Sequence, residues 1–144
     1  MTDVLERRLD ESTQAITLQL DHVSLFVRDR DASARFYSEV LGLSEIENRT
    51  QLPHIRWFAL GSGRSIHLIG GAGEPPAKRP LATHLALATS NFDAMKKRLD
   101  QRGIRYRGLN GEIDTFSVRA DGVRQLYFQD PDGHWVEIND TPPE

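Results

Sequence analysis

Cysteine is absent from the 144-residue chain, which excludes a disulfide framework, a thiolate nucleophile and thiolate metal ligands. No charge of one sign dominates: 18 Lys and Arg stand against 21 Asp and Glu, for a net −3. With a pI near 5.9 there is no basic stripe, so nucleic acid is not expected as a partner. No apolar run reaches the roughly 20 residues that cross a bilayer, and no signal-peptide core opens the chain. No membrane partner is expected, and the cytoplasm is the default address. What is present, 38% hydrophobic and 27% charged residues, is an ordinary globular composition. The length suits one domain with a substantial core.

The most informative stretch is Gln125–Asn139, which reads Q-L-Y-F-Q-D-P-D-G-H-W-V-E-I-N. Asp130-Pro131-Asp132-Gly133 is a turn: Pro131 presets φ, Asp130 can cap the backbone, and Gly133 tolerates the exit geometry. The flanking runs Leu126–Phe128 and Trp135–Ile138 are short, aromatic and β-branched, so they read as a hairpin. Glu137 lies between Val136 and Ile138, where alternation puts its carboxylate on the opposite face from both.

The same pattern occurs upstream. Phe58–Ile69 lines up with Phe128–Asn139, and the nine residues from Phe58 to His67 match the nine from Phe128 to Glu137. Asp21-His22-Val23-Ser24-Leu25 aligns with Thr83-His84-Leu85-Ala86-Leu87, and a helix-like segment follows each. The chain is therefore two copies of one strand–helix–hairpin unit. The offset is 62 at the histidines and 70 at the hairpins. An insertion over Leu109–Ala120 accounts for the difference, at a place where substrate-facing loops commonly vary.

In chain order, residues 1–17 form an extension outside the repeat, where Leu5 and Leu9 at helical spacing suit a short amphipathic helix or a frayed terminus. Residues 18–144 form the domain, with units 18–70 and 81–140 joined by a Gly- and Pro-rich linker, 71–80. In the first unit, Leu18–Val27 reads as a strand. Asp29 or Asp31 caps a helix through Ala32–Leu41 with Gly42 as its stop, and Ser44–Arg49, Ile55–Leu60 and Ser65–Ile69 follow as strands. In the second, Ala82–Ala88 is a strand, and Ser90 or Asn91 caps a helix to Arg102 with Phe92, Met95 and Leu99 buried. Ile104–Arg107 begins the return sheet. The fold expected is α+β: two tandem βαβββ units whose mixed sheet curls around a cleft, with helices on the outer face.

Four positions are equivalent in pairs, His22 with His84 and His67 with Glu137, each flanked by aliphatic residues that face the helix layer. Three imidazoles and one carboxylate lining one cleft suit a divalent transition metal (Zn, Ni, Co, Mn or Fe) rather than Mg or Ca. His134 reads as a turn residue. His54 opens a strand beside Arg56, and Arg119 and Arg124 flank the insertion as solvated arginines or anchors for an anionic substrate tail.

The motifs L-D-H-V-S-L-F-V-R-D (20–29), A-S-A-R-F-Y-S-E-V-L-G-L (32–43), T-H-L-A-L (83–87) and F-Q-D-P-D-G-H-W-V-E-I (128–138) resemble the vicinal oxygen chelate superfamily. That superfamily includes glyoxalase I, methylmalonyl-CoA epimerase, extradiol dioxygenases, fosfomycin-resistance enzymes and bleomycin-binding proteins. The resemblance carries the metal positions onto His22, His67, His84 and Glu137. It implies that a metal-chelated substrate loses a proton to a nearby carboxylate, which here makes Glu137 the base. The second metal position is Glu in glyoxalase I and Gln in the epimerase, whereas this chain has His67. A glyoxalase-type lyase or isomerase acting on a small oxygenated substrate is the first expectation. An Fe(II) extradiol-type dioxygenase using His22, His84 and Glu137 is the second, and a non-catalytic binding protein for a drug or metabolite the third. A homodimer is expected, because open strand edges need covering. In the bacterial glyoxalases that the chain resembles, each site draws ligands from both subunits.

Overall fold

The computed structural model describes residues 15–71 and 73–143. The helix considered around Leu5 and Leu9 lies outside the described residues. The first unit contains β1 (His22–Val27), α1 (Arg30–Arg35) running into a π-helical turn (Phe36–Val40), β2 (Glu45–Ile46), β3 (Ile55–Gly61) and β4 (Arg64–Gly70). The second contains β5 (His84–Ala88), α2 (Phe92–Gln101), β6 (Ser117–Val118), β7 (Arg124–Gln129) and β8 (Trp135–Asn139). The two βαβββ units are thus present, in an α+β fold. Each unit forms its own four-stranded mixed sheet, in the order β1-β4-β3-β2 and β5-β8-β7-β6. In each sheet the first strand runs parallel to the last, and the other pairings are antiparallel.

Local chemistry sets the boundaries. Asp29 caps α1 by accepting from the backbone N–H groups of Asp31 and Ala32, which starts the helix two residues before the expected Ala32. Asn91 caps α2 through the Ala94 N–H, and Phe92, Met95 and Leu99 are buried as the 3.6-residue period requires. The strand expected from Leu18 begins only at His22. Pairing with β4 starts at His22 opposite Ser65, so Ile16 and Leu18 have no sheet to pack on and stand 89% and 93% exposed. Ile104–Arg107 does not lengthen into a strand either. Arg107 makes isolated bridges to Tyr127 and Ile113, and the edge strand of that sheet is β6 inside the insertion.

Two hydrophobic clusters, one per unit, fill the space between sheets and helices. Tyr37, Phe58, Ile66 and Leu68 anchor the first, and Phe92, Leu99, Leu126, Phe128 and Val136 the second. Phe36 and Leu41 pack against both. The Asp130–Gly133 turn ties the units together. Asp130 Oδ1 accepts from the N–H groups of Asp132 and His134, while Oδ2 accepts from the Tyr37 hydroxyl at 2.8 Å. Asp132 accepts from the Ser33 hydroxyl and from the Arg28 backbone and guanidinium. His134, read from sequence as a turn residue, also reaches across to the Phe26 carbonyl through Nε2 at 2.8 Å.

Candidate functional site

Register alone sorts each sheet into two faces. In the first sheet Val23, Leu25, Ile66, Leu68 and Phe58 face the helix, so His22, Ser24, His67 and Trp57 share the other face. In the second, Leu85, Leu87, Val136, Ile138, Leu126 and Phe128 face the helix, while His84, Glu137, Tyr127, Gln125 and Asn139 share the opposite one. All four residues singled out from the repeat therefore lie on the faces turned away from the helices.

They come together two by two. The His22 and His67 rings stack with centroids 4.0 Å apart, and Trp57 stacks on the other side of His67, also at 4.0 Å. His22 Nδ1 lies 2.7 Å from the Asp21 carboxylate, and His67 Nε2 lies 2.9 Å from the Ser65 hydroxyl. Burial and the neighbouring His22 hold the His67 pKa below its usual value, with Asp21 opposing. His67, Trp57 and Ser65 open onto a cleft of about 600 Å³. On the second sheet His84 Nε2 lies 3.3 Å from Glu137 Oε1, and His84 Nδ1 donates to the Leu81 carbonyl at 2.8 Å. Within one chain the two pairs stay on separate sheets. Among the described residues no group of three or more His, Asp or Glu side chains is placed to hold a metal ion. One chain therefore does not gather all four into the single cleft expected from sequence: His22 with His67 and His84 with Glu137 form two separate pairs.

Glu137 is 4% exposed and held from three directions. Gln125 Nε2 donates to Oε1 at 3.1 Å and Asn139 Nδ2 to Oε2 at 2.6 Å. The Tyr127 hydroxyl is the third donor. Burial alone works against ionisation. Those three donors and the nearby His84 outweigh it and hold the carboxyl below its ordinary pKa. Tyr127 is pushed up to about 12 by burial and by its hydrogen bond to Glu137, so it remains a donor at any working pH.

Sequence reasoning passed over Trp57, Gln125 and Asn139. The signal was there in the repeat: an offset of 70 places Trp57 opposite Tyr127 in the alignment, each paired across the strand with a singled-out residue. Of the weaker candidates, His54 is exposed ahead of β3, and Arg56 pairs with Glu45 and Asp31 instead of facing the site. Arg124 is engaged by Asp140 and Asp93 and lies over the Phe92 ring. Arg119 pairs with Asp121, with Glu137 close enough for its charge to act on it.

Comparison with known proteins covers nearly the whole chain. "Glyoxylase I 4" of Arabidopsis thaliana is 31% identical over 126 residues, spanning 83% of this chain and 68% of that protein. "Glutathione transferase FosA" of Serratia marcescens is 27% identical over 126 residues, spanning 83% and 79%. Among solved structures, "Oxidase ChaP-H2" superposes with a TM-score of 0.72 at 28% identity, covering 88% of this chain and 96% of its own. The model of the Glyoxalase/Bleomycin resistance protein/Dioxygenase superfamily matches residues 19–138. That span runs from just before β1 to the end of the Glu137 hairpin and takes in both units, so the chain belongs to this superfamily.

Proposed function

We propose that the protein is a divalent-metal-dependent lyase or isomerase of the glyoxalase type, acting on a small oxygenated substrate. It works as a homodimer in which His22 and His67 of one copy and His84 and Glu137 of the other form each site. One observation carries this reading. The candidate ligands occur as two matched pairs at equivalent strand positions, and neither pair suffices alone. β1 and β5 end their sheets, so pairing β1 of one copy with β5 of another covers both edges and joins unlike half-sites.

The donor set fits a divalent transition metal. Nδ1 of His84 donates to the Leu81 carbonyl and Nδ1 of His22 is engaged by the Asp21 carboxylate, so Nε2 is the ring nitrogen that each would offer a metal, that of His84 beside the Glu137 carboxylate. Burial keeps His67 in the neutral form that a ligand needs. Its Nε2 is engaged by Ser65 Oγ, so Nδ1 or a turn of the hydroxyl must provide its lone pair. Zn, Ni, Co, Mn and Fe all accept such ligands. A metal held there would supply Lewis acidity to chelating substrate oxygens and so acidify the adjacent carbon. Glu137 would be the residue that accepts the proton. Its lowered pKa keeps it ionised at neutral pH but makes it a weak base, so it suits only a substrate acidified in this way. Gln125 and Asn139 aim the carboxylate, and Tyr127 steadies its charge.

The likeness to Oxidase ChaP-H2 favours one further reading, oxidation at Fe(II) held by His22, His84 and Glu137. Elemental analysis of protein purified without added metal separates the two. About one Zn, Ni or Co per chain supports the isomerase, and Fe supports the oxidase. Failure to take up any of these ions overturns both and leaves a binding protein.

His67→Ala removes one ligand and no base. Metal affinity is expected to fall at least about tenfold, and excess metal should restore most of the lost turnover. Metal titration alongside turnover checks this; activity that excess metal leaves unrestored contradicts it.

A further inference from the structure

We propose that Arg107 is the residue that selects an anionic substrate, receiving a carboxylate or similar group held beside the chelating oxygens. The inference rests on the metal-site reading above. Arg107 and Tyr127 exchange both backbone hydrogen bonds, N–H to carbonyl at 2.9 Å in each direction. Residues paired in this way project from the same face of a sheet. Tyr127 in turn opposes Glu137, which opposes Ala86. Arg107, Tyr127, Glu137 and Ala86 therefore form one cross-strand row on the site face, ending in a small side chain that leaves room above β5.

The guanidinium is held in place without being neutralised. Nε donates to the Gly108 carbonyl at 3.0 Å and Nη2 to the Leu109 carbonyl at 3.1 Å. Gly111, at φ +84°, passes beside the guanidinium, where an added Cβ would lie in van der Waals contact with Nη2 at 3.4 Å. The Cζ of Arg107 lies over the Trp135 ring, 5.9 Å from the centroid. Among the described residues no carboxylate comes within salt-bridge distance of Arg107, whereas its neighbours Arg105, Arg119 and Arg124 all have one. A half-buried, pre-oriented cation with no counter-ion, beside a flat indole, fits a planar substrate carrying an anionic group. The insertion that distinguishes the second unit from the first delivers this turn.

Catechol and 3,4-dihydroxybenzoate test the proposal, since both present vicinal oxygens on a flat ring and only the second carries a carboxylate. Both are titrated calorimetrically into the Zn-loaded full chain, with Zn content measured separately for every variant. The wild type should prefer the carboxylate probe by about 10- to 100-fold, the range of one charge-assisted hydrogen-bonded contact. Arg107→Gln should erase that preference while leaving catechol affinity within about twofold, and Arg107→Lys should keep part of it. Arg119→Gln should change it less, because Arg119 is already committed to Asp121. The proposal is overturned if Arg107→Gln keeps the preference, if Arg119→Gln removes it instead, or if Zn-loaded wild type binds neither probe. If the chain takes up no Zn, the metal reading has failed by itself. Benzoate against benzyl alcohol then reads Arg107 without a metal, and equal affinity for those two overturns the proposal.

Discussion

Glu137→Gln should lower turnover by about 10²–10⁴-fold, the usual cost of losing a general base, while leaving measurable metal binding. The two effects separate because the substitution preserves shape and one carbonyl oxygen but cannot accept a proton. The site is built to accommodate it. Gln125 donates Nε2 to Glu137 while its own Oε1 is buried without a partner. A flip of that amide would satisfy the new NH2 group, so the variant should fold normally. Turnover of a substrate found by screening, normalised to metal content, is the measurement. Near-normal turnover in fully metallated variant protein would mean that Glu137 is a ligand only, and the proton-transfer mechanism would have to be given up.

The second large effect is expected on stability. Asp130→Ala should cost about 3–5 kcal/mol, because it strands the Tyr37 hydroxyl and the N–H groups of Asp132 and His134 in a buried place. Asp130→Asn should cost about 1 kcal/mol or less: its oxygen still accepts from both N–H groups, and its NH2 can donate to Tyr37. The pH dependence differs as well. Burial raises the Asp130 pKa, against the lowering effects of Tyr37 and His134. The native state therefore binds this proton more tightly than the unfolded chain does. The proton-linked part of the stability contributed by Asp130 is fully present below the unfolded carboxyl pKa and is lost as pH rises through the native one, while the hydrogen bonds its oxygens accept are counted separately. Asp130→Asn should lack that component. Urea unfolding at several pH values tests both statements, and equal destabilisation by Ala and Asn would refute the capping account.

The repeat was legible because a half-buried strand must alternate, and two copies alternating in step expose the same positions twice. His22, His67, His84 and Glu137 all fall on the predicted face for that reason. The arrangement of one unit against the other was not legible. It depends on Asp130 and Asp132 reaching Tyr37, Ser33 and Arg28, contacts about 90 to 100 residues apart that leave no periodic mark. Trp57 stayed hidden because a strand aromatic looks like core whichever face it occupies. Arg107 stayed hidden because it borders the one segment without a counterpart in the first unit. There the alignment lends no support, and only the backbone exchange with Tyr127 identifies its face.

The most direct test of the shared site combines two variants, His22→Ala and His84→Ala, co-expressed with different tags so that the heterodimer can be isolated. If each site takes His22 and His67 from one copy and His84 and Glu137 from the other, the heterodimer holds one site with both lesions and one with neither. It should bind one metal tightly per dimer and turn over at about half the wild-type rate, although each parent homodimer is defective at both sites. If each chain builds its own site, every site in the heterodimer carries one lesion, and neither tight binding nor turnover returns. That outcome, or a monomer at micromolar concentration by light scattering, would contradict the account.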